Sequence, residues 1–192
     1  MPNRTLLFAA AFTAVLATSA QAGPPWISVE YPANPHHAST RGASMLVRAY
    51  HHSDGINVPM RAIAEGIVDG KRVSMKVELD ATAFAGVYAL RSALPKGGTW
   101  VLAFTLQEGK ESSATALVSV DARGRIMNVD VPSERTKDGW TVPRSVGKTD
   151  IEAALRAAQI ASAASTTTRA TAAIFLPLLL IGGGVVVARR KQ

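Results

Sequence analysis

The 192-residue chain contains no cysteine. This absence excludes disulfide bridges, thiolate metal sites, a cysteine nucleophile and a lipid anchor on an N-terminal cysteine. It does not exclude export from the cytoplasm, because a domain of about 100 residues can bury enough apolar surface to fold without disulfides. We therefore consider only functions that need no thiol.

The sequence also lacks the motifs of the common catalytic and nucleotide-binding sites. It contains no G-x-S-x-G elbow, no H-E-x-x-H zinc motif, no phosphate-binding P-loop, and no G-x-G-x-x-G after a strand. Each of these motifs supplies a nucleophile, a metal ligand or a backbone cradle that its chemistry requires. We therefore predict that the protein is not an enzyme.

Positive charge is concentrated at the two ends of the chain. The formal net charge is +7, with 21 basic and 14 acidic residues. Four of the 21 are Arg4, Arg189, Arg190 and Lys191, which leaves 17 against 14 between them. This central part has no basic run with interleaved aromatic residues, so it carries little of the charge that nucleic-acid binding requires. We predict no nucleic-acid partner.

The first 22 residues have the three parts of a secretory signal peptide. Arg4 makes the start positive, residues 6–17 form a short apolar run, and Ala20-Gln21-Ala22 is a small-x-small cleavage site. We predict that residues 1–22 direct export and are removed.

Residues 170–188, ATAAIFLPLLLIGGGVVVA, carry no charged side chain and are about as long as a membrane-spanning helix. Three basic residues follow this run and only Arg169 directly precedes it, so the basic tail 189–192 is expected in the cytoplasm. We predict a single-pass protein of a bacterial inner membrane, with its N-terminal domain on the periplasmic or extracellular side. The alternative is a surface protein whose C-terminal segment is a sorting signal that is removed.

Eight stretches of β-branched and aromatic residues, separated by turn residues, predict strands. They are residues 26–31, 44–50, 62–68, 73–79, 86–90, 99–107, 112–120 and 126–131. The pair Asp69-Gly70 predicts a tight hairpin between the third and fourth stretches. Because no helical period lies between the strands, we predict a mainly β domain over residues 23–132. An immunoglobulin-like antiparallel β-sandwich is favoured over a small barrel.

Two stretches alternate apolar and polar residues, which predicts one buried and one wet face for each strand. The expected buried faces are Val73, Met75, Val77 and Leu79 in one stretch, and Trp100, Leu102, Phe104 and Leu106 in the other. Tyr88 is expected in the same core. Trp26 and Tyr50 would form an interaction patch if the fold exposes them.

The run Gly86-Val87-Tyr88-x-Leu90, followed by Leu94-Pro95-x-Gly97-Gly98-x-Trp100-Val101-Leu102, resembles the exported immunoglobulin-like domains of the YtkA-like and FixH-like group. The resemblance covers about 20 residues. It implies a non-enzymatic sandwich domain, and some members of that group are associated with copper handling or with assembly of respiratory complexes.

Residues 133–169 are expected to connect the domain to the membrane. The polar start of this segment predicts a linker that lays Trp140 against the sandwich. Thr149 to Glu152 has the form of a capping box, so we predict a helix over residues 150–164. Its apolar side is mostly alanine, and we therefore interpret the helix as an undocked stalk.

The four histidines of the chain fall into two adjacent pairs, His36-His37 and His51-His52. Neighbouring residues on a strand point to opposite faces, so a metal site would take one imidazole from each pair. Met45 or Met60 would add a thioether, a ligand that favours copper(I). Against this hypothesis, about 14 residues separate the pairs, and solvated loop histidines are the simpler interpretation.

These observations predict a non-catalytic domain, anchored in the inner membrane, that binds or assembles an envelope protein. The competing hypothesis is a periplasmic copper-handling module that uses the paired histidines. We predict no other cofactor.

Overall fold

The computed structural model describes residues 23–109 and 112–175, with residues 165–175 described as backbone only. The predicted signal peptide lies outside the described residues. So does the basic tail, together with residues 176–188 of the predicted membrane span. Within residues 23–109 and 112–175, none of the helices combines the length and the hydropathy that a membrane crossing requires.

The described part of the chain is mainly β, and its strands pair antiparallel in two larger sheets and one hairpin. Sheet A contains β1 (Trp26–Glu30), β2 (Met45–His51), β3 (Asp54–Gly55), β6 (Asp80–Ala81) and β7 (Val87–Leu90). Sheet B contains β4 (Met60–Val68), β5 (Lys71–Val77), β8 (Thr99–Glu108), β9 (Ser112–Val120) and β10 (Ile126–Asp130). The hairpin is β11 (Ser133–Arg135) with β12 (Thr141–Pro143). A short 3-10 helix spans Ala38–Thr40, and α1 spans Lys148–Phe175.

The strand order is β1-β2-β7-β6 in sheet A, with β3 beside β2, and β10-β9-β8-β4-β5 in sheet B. Each of the eight predicted stretches overlaps one of these strands, so the prediction of a mainly β domain is confirmed. Asp69 and Gly70 both have positive φ, 49° and 74°, and join β4 to β5 as a two-residue hairpin turn.

One buried cluster contains side chains from both larger sheets. We call the side of each sheet that faces this cluster its inner face. Sheet A contributes Ile27, Met45, Val47, Ala49 and Leu90, and sheet B contributes Ala62, Ala64, Trp100, Leu102, Phe104, Leu106, Ala114, Ala116, Val118 and Val120. The period of two in β8 is therefore confirmed, since its predicted apolar face is buried.

Small residues on β4 make room for the largest side chain of this core. A Cβ atom at Gly66 would lie under 3.0 Å from three atoms of the Trp100 indole ring. Tyr88 packs at the edge of the same cluster, as expected, and its hydroxyl donates a hydrogen bond to the carbonyl of Val58. Trp26 and Tyr50 are register partners on β1 and β2, and both are half-buried.

The predicted buried face of β5 is only partly buried. Val77 and Leu79 pack at the edge of the core, whereas Val73 is 38% exposed and Met75 is 47% exposed. The reason is position, because β5 is the last strand of sheet B and pairs with β4 along one side. A period of two reports which residues share a face, and it cannot report whether a second sheet covers that face.

The prediction of an undocked stalk is wrong, because α1 packs on the outer face of sheet B. Leu155 and Ala158 are buried, at 2% and 4% exposure. Leu155 belongs to a second cluster with Val101, Ala103 and Leu117 of the sheet, and Val146, Ile151 and Ala154 pack at its edge. Large apolar side chains from both partners meet here, Ile151 and Leu155 of the helix with Val101 and Leu117 of the sheet, and the small Ala154 and Ala158 let the helix lie close to the sheet. The helix also continues beyond the predicted end at residue 164, to Phe175.

The start of α1 uses a different cap from the predicted one. The Asp150 carboxylate accepts a hydrogen bond of 2.8 Å from the backbone N–H of Gly147, and bonds of 2.5 and 3.1 Å from Arg144. The Arg144 guanidinium first, and then the Gly147 N–H, lower the pKa of Asp150 to about 2. Asp150 therefore takes the role that the predicted capping box gave to Glu152.

The predicted linker contains the β11–β12 hairpin, and Trp140 does not lie against the sheets. The Trp140 side chain is 74% exposed at the far end of this hairpin, which corrects the expectation that it packs on the domain.

Candidate binding surface

The outer face of sheet B is only partly covered, and the uncovered part forms a groove of about 660 Å³. Alternate residues of β4 and β8 make its floor, because successive strand residues point to opposite faces. Its lining residues are Pro59, Arg61, Ile63, Ala103, Thr105, Gln107 and Gly109. Ile63 is 38% exposed there. The groove therefore combines an apolar floor with amide, hydroxyl and guanidinium groups.

Arg61 is the cation of this groove, and its side chain forms no ion pair with any described residue. Its neighbours differ in this respect. On the same sheet, Arg72 donates to Glu65 at 3.1 Å and to Glu152 of α1 at 3.0 Å. The Glu65 hydrogen bond first, and then that of Glu152, raise the pKa of Arg72. Among the described residues, Arg61 is thus left without a counter-ion.

The ion pairs of Arg72 also fix one border of the uncovered face. They join β5 to the first turns of α1, next to the contacts of Ile151 and Leu155 with the sheet. Near the other border, the Thr105 and Thr115 hydroxyls share a hydrogen bond of 3.0 Å. The groove is therefore bounded by packed and bonded groups.

The four histidines lie in two separate settings. His51 ends β2, and its Nε2 shares a hydrogen bond of 2.7 Å with the Glu108 carboxylate at the end of β8. This bond links sheet A to sheet B. His36 and His37 are exposed in the segment before the short 3-10 helix. No group of three or more histidine, aspartate or glutamate side chains among the described residues is placed to hold a metal ion.

One histidine from each pair lies near Phe84. The His37 and Phe84 rings meet edge to face with their centroids 4.7 Å apart. His52 and Phe84 line a cavity of about 500 Å³ on the outer side of sheet A. Met45 is fully buried in the shared core, which separates it from this cavity. Met60 packs at the edge of the same core.

Sequence reasoning missed the groove on sheet B. Arg61 directly precedes the predicted third strand, residues 62–68, and Ile63 lies within it, two positions further on and therefore on the same face. Which part of that face is open depends on where α1 lies, and the helix was expected to be undocked. One signal could have indicated the groove. The register partner of Arg61 on β8 is Thr105, which carries no negative charge to pair with the guanidinium.

The fold and this groove define a mainly β domain with a docked helix and an open polar–apolar surface. No protein-family model matches the chain, and neither the curated proteins nor the solved structures include a match. The resemblance to the YtkA-like and FixH-like group stays a prediction.

Proposed function

We propose that this chain is a non-catalytic binding domain, anchored at the outer face of the inner membrane, that holds a segment of an envelope protein in the groove on sheet B. The export signal and the apolar C-terminal run support the location. The groove supports the binding role, because it offers an apolar floor and a cation that no described residue pairs with, both on a packed scaffold.

Within this proposal the two large sheets form an immunoglobulin-like sandwich. The strand orders support this class. If the strands are lettered along the chain as in the immunoglobulin fold, the order β1-β2-β7-β6 becomes A-B-E-D, which is one sheet of that fold. The order β9-β8-β4-β5 becomes G-F-C-C′, which is the other sheet. The shared buried cluster supports a face-to-face packing of the sheets.

The observation that carries the proposed function is the incomplete cover of the outer face of sheet B. A monomeric domain normally covers apolar surface or places charge on it, yet Ile63 lies exposed beside Arg61, which has no ion-pair partner in the described part of the chain. The matching ligand is an extended protein segment with an apolar side chain next to a carboxylate. The apolar side chain contacts Ile63, and the carboxylate pairs with the Arg61 guanidinium.

A photo-crosslinking experiment on the full chain in its native membrane tests this proposal. A photoreactive residue at Ile63 is expected to capture one specific envelope protein, and the same residue at Ser74, exposed on neighbouring β5, is expected to capture little of it. Arg61→Glu should lower the Ile63 yield about tenfold, which corresponds to about 1.4 kcal/mol. Equal capture at both positions, or capture that ignores Arg61→Glu, would contradict the proposal.

The copper-handling hypothesis keeps one supporting observation, the approach of His37 and His52 to Phe84 from different parts of the chain. Imidazole ligands suit copper, and binding to the folded state raises the melting temperature. Titration of the full chain with copper or zinc tests the hypothesis. A stoichiometric rise in melting temperature that His37→Ala and His52→Ala abolish would support it, and an unchanged melting temperature would exclude it.

The hypothesis of a processed C-terminal tail concerns residues outside the described part of the chain. The intact mass of the membrane-extracted protein tests it, since removal of the tail lowers the mass by about 20 residues.

A further inference from the structure

The helix α1 contacts the sheet near one turn of the domain and then continues toward the predicted membrane span. Ser162 donates a hydrogen bond to the Met127 sulfur at 3.5 Å, and Met127 follows closely after the turn that joins β9 to β10. The helix runs without interruption from there to Phe175. The predicted span begins at residue 170, which is about 12 Å further along a helix that rises about 1.5 Å per residue.

The turn between β9 and β10 is rigid and basic. The buried Asp121 carboxylate accepts backbone hydrogen bonds of 2.9 Å from Arg123 and from Arg125, and it binds the Arg125 guanidinium at 2.5 and 2.8 Å. Burial alone would raise the pKa of Asp121, but the Arg125 side chain and these N–H groups lower it on balance. The carboxylate is therefore a fixed anion that orders the turn and neutralises Arg125.

Two further cations at this turn, Lys96 and Arg123, are not neutralised by any described carboxylate. The Gly97 N–H bonds the Ala122 carbonyl at 3.0 Å, which holds the preceding corner against the turn. A Cβ atom at Gly124 would lie 3.3 Å from Lys96 Cγ, so the Lys96 side chain lies over the turn. Lys96 and Arg123 are exposed, and neither side chain forms an ion pair within the described part of the chain.

We propose that this turn, with Lys96 and Arg123, is a membrane-facing surface that binds the anionic headgroups of bilayer lipids. The inference rests on the proposed membrane anchor. An unbroken helix of about 12 Å between the Met127 contact and the predicted span is a short, stiff connection. It keeps the domain near the bilayer, at a distance comparable to the Debye length, which is roughly 10 Å at 0.1 M salt. Unpaired cations beside an anionic surface are then attracted to it.

The absence of cysteine makes a direct test available, because each introduced cysteine is a unique labelling site. We would reconstitute the full chain in vesicles that carry an energy-transfer acceptor on the lipid headgroup. A fluorophore on Ala122→Cys reports the turn, and one on Ser53→Cys reports the opposite end of sheet A. Transfer from residue 122 is expected to exceed transfer from residue 53 severalfold in phosphatidylglycerol vesicles, and to fall in phosphatidylcholine vesicles or at about 1 M salt.

The double variant Lys96→Gln with Arg123→Gln should lower transfer from residue 122 to its value in phosphatidylcholine vesicles. The charge-matched control, Lys76→Gln with Lys137→Gln, removes two exposed cations elsewhere and should leave that transfer unchanged. If the chain floats with the vesicles but the two labels report equal transfer, or transfer ignores lipid charge, this inference is wrong and the anchor stands. If the chain does not float with the vesicles, both the anchor and this inference are wrong.

Discussion

The two faces of sheet B are built differently although the same strands form them. On the inner face, large side chains such as Phe104 are fully buried, and Gly66 leaves room for one ring, that of Trp100. On the outer face, an alanine-rich helix covers Val101 and neighbouring residues, and the rest is an open groove. The comparison teaches that the inner face is closed and densely packed, while the outer face carries a docked helix and the open groove that we propose binds a partner.

The sharpest test of this comparison truncates one large side chain on each face to alanine. Phe104→Ala opens a cavity in the fully buried core and should lower the free energy of unfolding by about 3–5 kcal/mol. Ile63→Ala changes the exposed groove on the adjacent strand and should lower it by less than about 1 kcal/mol. Chemical denaturation of the full chain in detergent, followed by tryptophan fluorescence, measures both. Similar losses for the two variants would show that the faces do not differ as described.

The second test concerns the docked helix. Leu155→Ala truncates a side chain of α1 that is 2% exposed and should lower the free energy of unfolding by about 2 kcal/mol, near the lower end for such a truncation. Ile160→Ala is the matched control, because Ile160 lies on the same helix and is 72% exposed. Melting temperatures of the two variants give the comparison. An unchanged melting temperature for Leu155→Ala would restore the interpretation of α1 as an undocked stalk.

The third test probes how tightly the inner face is packed. Gly66→Ala places a methyl group against the Trp100 ring and should cost about 1–3 kcal/mol through overpacking. In a Trp100→Phe background, a smaller ring replaces the fused indole that the methyl group meets, so the cost of Gly66→Ala should shrink. Denaturation of the four chains of this double-mutant cycle measures the coupling. Additive costs would mean that the two residues are independent.

The smallest expected effect concerns the carboxylate at the start of α1. The pKa of Asp150 is about 2 in the folded chain and about 3.9 in an unfolded one. Its contribution to stability is therefore fully present above about pH 4 and is lost as the pH falls toward 2. The melting temperatures of the natural chain and of Asp150→Asn should differ above pH 4 and converge near pH 2.

Arg144→Gln removes the main cause of the lowered Asp150 pKa, so it should weaken the same pH dependence. A difference between the natural chain and Asp150→Asn that stays constant from pH 6 to pH 2 would contradict the assignment of this cap.

Much of the fold could be predicted from residues that are close in sequence. The alternation around Phe104 predicted both a strand and its buried face, and Asp69-Gly70 predicted the hairpin. The same reasoning failed for Met75, because its exposure depends on the absence of a covering strand at the edge of sheet B. It failed for the cap of α1 as well, because the choice of Asp150 over Glu152 depends on Arg144 and Arg72.

Less of the candidate site could be predicted. The histidine pairs were visible in the sequence. That His51 bonds Glu108 while His52 lines the cavity beside Phe84 depends on loop paths, which no periodicity describes. The groove at Arg61 depends on which part of sheet B the helix leaves uncovered. Its border ion pair, Arg72 with Glu152, joins residues that lie 80 positions apart.

The sequence by itself determined where the strands lie, where the chain turns between β4 and β5, and which residues of β8 share a face. These properties follow from backbone geometry and from neighbours one or two residues away. Only the tertiary structure decided that α1 docks, that Val73 and Met75 stay exposed, and that Arg61 has no partner among the described residues. Those properties depend on what covers each surface, and the covering residues come from distant parts of the chain.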